Sequence, residues 1–126
     1  MVKQVIILRK DLNMRKGKMV AQGSHSSLKV FFDRMEKVSS DSYAFRATDA
    51  MQEWIDGSFT KICLSVDSEA ELVEIYEKAK EAGIPCALIT DEGHTEFKGV
   101  PTKTAVALGP DNSEKIDPFT SHLKLL

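Results

Sequence analysis

The stretch VIILRKDLNMRKGKMVAQGSH, from Val5 to His25, decides how the chain begins to fold. Val5, Ile6, Ile7 and Leu8 form a continuous apolar run, the pattern of a central strand covered on both faces. Residues 11–14 read as a short loop. From Lys16 to about Val38 the period becomes helical. Val20, Ser24, Leu28, Phe31 and Met35 share one stripe, flanked by Ala21 and Phe32, and this stripe is expected to face the core.

Further along, Thr48 or Asp49 is placed to cap a short helix running through Trp54 and Ile55, ended by Asp56-Gly57. Residues 60–66 (TKICLSV) are rich in strand formers. Ser68 and Glu71 match a capping box, opening a helix that stops at Gly83. Residues 85–89 (PCALI) and 103–108 (KTAVAL) read as two more strands, the second halted by Gly109-Pro110. Asn112 or Ser113 is placed to cap a last short helix, and residues 122–126 read as a tail. Such alternation predicts an α/β sandwich with a mainly parallel sheet. The loop over 90–102 allows either a hairpin or a crossover, so the direction of the last strand stays open.

The 126 residues suit one domain, spanning 1–126, with a real core. Cys63 and Cys86 both lie in apolar runs and are expected to be buried free thiols. No apolar run approaches the length of a membrane span and no signal peptide is legible, so a cytoplasmic, membrane-free protein is expected. Charge is divided unevenly. Residues 1–37 hold nine Lys and Arg against three Asp and Glu, whereas residues 38–126 hold eight against sixteen. A basic face on an acidic protein suggests contact with anions or nucleic acid, against the plainer reading of a solvated helix surface.

Two constellations carry the chemistry. Around Gly17-Lys18, Leu12 and Met19 stand where a nucleotide-binding phosphate loop requires glycine and a hydroxyl, which excludes that motif. Lys18, Gln22, His25 and Lys29 instead share one helix face, within about 60° of arc. The second constellation is TDEGHTEF, residues 90–97, directly after the third strand. Ligands in α/β sheets bind beyond the carboxyl ends of strands, which marks Asp91, Gly93 and Thr95; the plainer reading is an ordinary Asp-Gly turn. His94 and His122 have no metal-ligand spacing, and neither a metal nor another cofactor is expected. Ser26 and Ser27 lack the setting of a hydrolase nucleophile.

These blocks, with KICLSVDSEAEL, TKTAVALGP and EKIDPFTSHLKLL, give the chain a resemblance to the second type of peptidyl-tRNA hydrolase. The resemblance covers nearly the whole chain and keeps the family's spacing except around residues 38–60. It implies a single-domain, three-layer α/β sandwich, with a four-stranded mixed, mostly parallel sheet and helices on both faces. It also implies hydrolysis of the ester joining a stalled peptide to tRNA, without a cofactor. The family's functional lysine falls on Lys18, its loop aspartate and threonine on Asp91 and Thr95, and its helix glutamine and histidine on Gln22 and His25. A further threonine falls on Thr104. Glu92 and His94 depart from the usual loop residues, and KGVPTKT departs from the usual approach to the last strand.

The expected mechanism is direct attack by water. Lys18, Asp91 and Thr95 form the catalytic set, while Gln22, His25, Thr104, Lys16 and Arg15 contact the acceptor end of peptidyl-tRNA. A homodimer is compatible with this reading. The competing readings are a tRNA- or RNA-binding module without catalysis and a protein-interaction domain. The latter calls for an exposed apolar patch, and none is legible in the sequence.

Overall fold

A computed structural model of the chain describes residues 1–94 and 96–126; Thr95, expected in the catalytic set, lies outside the described residues. The elements in chain order are β1 (Val2–Arg9), α1 (Lys16–Phe32), β2 (Glu36–Ser39), β3 (Ser42–Ala44), α2 (Asp49–Asp56) and β4 (Lys61–Val66). They continue with α3 (Glu69–Glu81), β5 (Cys86–Asp91), β6 (Thr102–Asn112), α4 (Ser113–Thr120) and β7 (Lys124–Leu125).

The main sheet has the order β5-β6-β1-β4-β7. It holds five strands where four were expected, because the C-terminal tail adds β7 beside β4. β1 and β4 pair in parallel, while β6 runs antiparallel to both of its neighbours, β1 and β5. The strand whose direction was open is therefore β6, and the loop over 92–101 closes a hairpin. Three of the five strands share one direction, yet only one of the four adjacent pairings is parallel.

Alternation along the strands builds the three layers. Val5 and Ile7 of β1, Leu64 and Val66 of β4, and Val106 and Leu108 of β6 point to one face. There they meet Leu72, Ile75 and Ala79 of α3 and Ile116 of α4. Ala87 of β5 and Ala107 of β6 point to the other face, against Val30 of α1 and Met51 of α2. Two of the three expected caps are made; at the third, Asn112 precedes α4 without a side-chain cap bond and the buried Ser113 hydroxyl has no partner among the described residues. Thr48 accepts from the Met51 N–H at 3.1 Å, and Ser68 accepts from the Glu71 N–H at 3.1 Å. Glu71 reaches back to the Asp67 N–H.

Four expectations need correction. First, α1 ends at Phe32 rather than near Val38. The chain turns there, with the N–H groups of Arg34 and Met35 bonding the carbonyls of Phe31 and Phe32, and the next residues pair as the exposed β2–β3 hairpin. Second, the apolar stripe of α1 meets the core only at Phe31, at the end of the helix. Val20 is 68% exposed and Leu28 50%, whereas Gln22, Gly23, Ser26, Ser27 and Val30 are buried. Small side chains let the helix lie close to β1: a Cβ on Gly23 would sit 3.3 Å from Ile6 Cγ2. The buried polar groups are paired, since Gln4 of β1 donates to the carbonyls of Ser27 and Gly109 and accepts from the Ser27 hydroxyl.

Third, Gly109-Pro110 does not halt β6. The strand passes through this cis bond and pairs onward with Val2 and Lys3, across an irregular register. Gly109 has φ 92°, and a Cβ there would lie 2.6 Å from the Lys3 carbonyl, so glycine alone fits. Fourth, neither free cysteine is fully buried. Cys63 is exposed and Cys86 half-buried. Cys63 lies on the α1 side of β4, which α1 leaves uncovered.

Candidate functional site

Asp91 closes β5 at its carboxyl end, and α1 brings Lys18 and Gln22 across to it. Lys18 Nζ lies 2.9 Å from Asp91 Oδ1, with only 11% and 15% of the two side chains exposed. Gln22 Nε2 donates to the same oxygen at 3.1 Å. The other oxygen, Oδ2, accepts from the Gly93 N–H at 2.9 Å. Behind them Thr104 Oγ1 of β6 donates to Gln22 Oε1 at 2.6 Å. That bond fixes which end of the amide faces Asp91. Thr104 is fully buried, with its hydroxyl on Gln22.

The electrostatics follow from these contacts. Burial pushes the Asp91 carboxyl up. The hydrogen bonds from Lys18 and the Gly93 N–H, the Lys18 charge and the Gln22 amide outweigh it, and the carboxyl sits below its ordinary value. Asp91 is therefore an anion at neutral pH with little basicity. It suits holding and orienting donors, such as a water molecule, better than removing a proton unaided.

The loop over 92–101 is shaped to deliver that Gly93 N–H. Gly93 has φ 87° and its carbonyl accepts from the Gly99 N–H at 2.7 Å. A Cβ on Gly93 would meet Val100 N and O at 2.6 Å, so a side chain there would force the loop open. Glu92 and His94 pair with each other at 2.8 Å on the outside of the loop, both strongly exposed. Glu96 turns inward to the start of α1, accepting from the Arg15 N–H at 3.4 Å. Phe97, which the sequence pattern does not single out, places its ring centroid 5.4 Å from Lys18 Nζ. The available signal was an aromatic residue in an otherwise polar loop.

The remaining expected residues divide. Arg15 and Lys16 are exposed at the start of α1, with Arg15 Nε 3.8 Å from Glu96 Oε1. His25 is exposed on α1, outside the hydrogen-bonded cluster. The basic third of the chain is smaller in effect than its charge count suggests. Lys3 pairs with Asp117, Arg9 with Asp11 and Glu69, and Lys29 with Asp33. Among the described residues no group of three or more His, Cys, Asp and Glu side chains is placed to hold a metal ion.

A large groove lies elsewhere. It has a volume of about 960 Å³ and runs along the opposite flank of α1, between Val20 and Leu28 on the helix and Ile6, Cys63 and Leu126 beside it. No Asp or Glu side chain lines it, and the Lys18–Asp91–Gln22 cluster lies apart from it. The groove is a mostly apolar surface, with Arg9, Lys10, Lys16 and Lys61 also lining it, that the sequence does not reveal.

Comparison with known proteins gives the family. A 125-residue match to a peptidyl-tRNA hydrolase of Methanocaldococcus jannaschii is 46% identical and covers 99% of this chain and all of that protein. One from Methanothermobacter thermautotrophicus is 44% identical over 126 residues, 99% of this chain and again all of the relative. A probable peptidyl-tRNA hydrolase 2 of Dictyostelium discoideum is 38% identical over 98% of this chain and 54% of its own length. No helix among the described residues is long and apolar enough to cross a membrane. With the sequence model of peptidyl-tRNA hydrolase PTH2 matching residues 2–126, and a lysine–aspartate pair at the carboxyl end of a sheet strand, the chain belongs to the PTH2 family of peptidyl-tRNA hydrolases.

Proposed function

We propose that this chain, acting as one domain over residues 1–126 in the cytoplasm, hydrolyses the ester between peptide and tRNA in peptidyl-tRNA and so returns tRNA from stalled translation. The observation that carries the reading is the mostly buried Lys18–Asp91 pair, closed by the Gln22 amide, in a member of this family. Water attacks the ester carbonyl directly: its oxygen bonds the carbonyl carbon, the bond to the tRNA ribose oxygen breaks, and the proton that water loses passes to that ribose oxygen. Asp91 orients that water, and Lys18 stabilises the negative charge that develops on the carbonyl oxygen. Thr95 supplies a hydroxyl to water or substrate. Gln22 holds Asp91 in place, with Thr104 setting its amide. His25 meets the terminal ribose or adenosine.

Arg15 and Lys16 contact the acceptor-end phosphates. Raising salt therefore weakens binding, and Arg15→Ala or Lys16→Ala flattens that dependence. The deciding experiment follows peptide release from purified N-blocked peptidyl-tRNA. Wild type turns over, while Lys18→Ala and Asp91→Asn each lose roughly 10²- to 10³-fold in kcat, the scale of removing an electrostatic group from a transition state. Unchanged turnover in both variants overturns the site. An inactive wild type that still binds tRNA supports the non-catalytic module instead.

The groove beside α1 supports a homodimer. An isologous contact sets one patch against its own copy, and apolar Val20, Leu28 and Leu126 are self-complementary in that sense. Sedimentation equilibrium tests it: Leu28→Asp shifts the protein to monomer, and a wild type that is monomeric at all concentrations removes the dimer.

A further inference from the structure

We propose that Phe97 is a positioning residue for Lys18, its ring face holding the ammonium against Asp91 by a cation–π contact. The inference deepens the hydrolase reading above and rests on it. The ring centroid lies 5.4 Å from Lys18 Nζ, within the roughly 6 Å over which a ring face attracts a cation. Lys18 Nζ therefore has a carboxylate oxygen at 2.9 Å and an aromatic ring beside it.

The ring is held in place by its surroundings. Phe97 packs against the cluster of Leu8, Met14, Ile89 and Ala105, with Leu12 and Met19 beside it. Its carbonyl accepts from the Val100 N–H at 2.9 Å, and the neighbouring Glu96 accepts from the Arg15 N–H. A lysine side chain is long and loses much rotamer freedom when fixed, and a ring packed beside the ammonium adds to what its hydrogen bonds supply.

An aromatic face suits this task better than a second carboxylate. Another anion would cancel the charge that Lys18 offers to the developing oxyanion, and would compete for its N–H donors. A ring attracts the ammonium through its quadrupole without neutralising it, and it excludes water from that side. The plainer alternative is that Phe97 only fills space over the small cluster.

A fluorination series separates the two. Phe97 is replaced by mono-, di- and trifluorophenylalanine in the full chain, and hydrolysis of N-blocked peptidyl-tRNA is measured beside the thermal midpoint. Fluorine withdraws the negative charge of the ring face with little change of shape. The expected result is a stepwise fall in kcat, reaching somewhere in the range of roughly 2- to 30-fold for the trifluoro ring, at steady KM and steady thermal midpoint. Phe97→Tyr keeps kcat near wild type, and Phe97→Leu lowers it. A flat kcat across the series, or one that falls only in step with the thermal midpoint, overturns the proposal. The wild-type arm separates the failures: an inactive wild type overturns the hydrolase reading and with it this one, whereas an active wild type with a flat series overturns only the role of Phe97.

Discussion

Helices α1 and α3 lie on opposite faces of one sheet and follow opposite rules. α3 turns Leu72, Ile75 and Ala79 to the sheet, keeps Glu and Lys outside, and opens with a Ser68 cap. α1 turns Gln22, Gly23, Ser26 and Ser27 to the sheet, leaves Val20 and Leu28 exposed, and opens at Arg15 without a side-chain cap. α3 is built by apolar burial. α1 is built by close approach and by hydrogen bonds to Gln4, Asp91 and Thr104. The helix that departs from the stability rule is the one that carries the site. It spends its buried face on polar positioning, where a fully satisfied network holds groups more tightly than apolar packing does.

That contrast sets the order of effects. Replacing Gln22 by Leu keeps bulk on the α1 face but removes both of its site hydrogen bonds. We expect kcat to fall by about 10²-fold, in the range of a displaced positioning group, while the protein remains folded by circular dichroism. A fold-change below about threefold would show that the amide only fills space. Leu72→Ala on α3 gives the converse: about 2–5 kcal/mol of stability lost in denaturant titration, with the turnover of the folded fraction unchanged. Equal damage to both properties in both variants would erase the distinction between the helices.

Smaller effects sharpen it. Ser68→Ala removes the α3 cap and costs about 1 kcal/mol. Acid titration reads the α1 side alone. Because the folded pKa of Asp91 is depressed, its contribution to stability is fully present above the unfolded carboxylate value of about 3.9. It is lost as pH falls through the lower folded value. Thermal midpoints of wild type should therefore fall more steeply below about pH 4 than those of Asp91→Asn. Parallel curves would mean that the donors around Asp91 do not favour its anion.

Much of this architecture is legible in the chain because it is local. The apolar run at 5–8, the capping box at Ser68 and Glu71, and the Gly83 stop each depend on neighbours a few residues away, and each falls where expected. The spacing of Lys18 and Gln22 is of the same kind, since four residues along a helix share a face whatever surrounds them. Periodicity, however, cannot say which face of α1 is buried. The stripe with more hydrocarbon loses to the stripe that fits closely over Ile6 and satisfies Gln4, and both partners come from a strand some twenty residues earlier.

The same limit applies to charge and to the site. Counting residues gives the first 37 an excess of cations, but Lys3, Arg9 and Lys18 are matched by Asp117, Glu69 and Asp91 from the acidic remainder. By itself the sequence determined an α/β order of elements and a lysine four residues before a glutamine on one helix. Its blocks also determined the family that the chain resembles. The tertiary structure alone decided that β6 returns antiparallel and sets Thr104 behind Gln22. It also decided that α1 presents its polar face to the sheet and that Phe97 lies over Lys18. These are contacts between residues far apart in the chain, and the free energy that selects them comes from shape and hydrogen bonding, which exist only once the layers have packed.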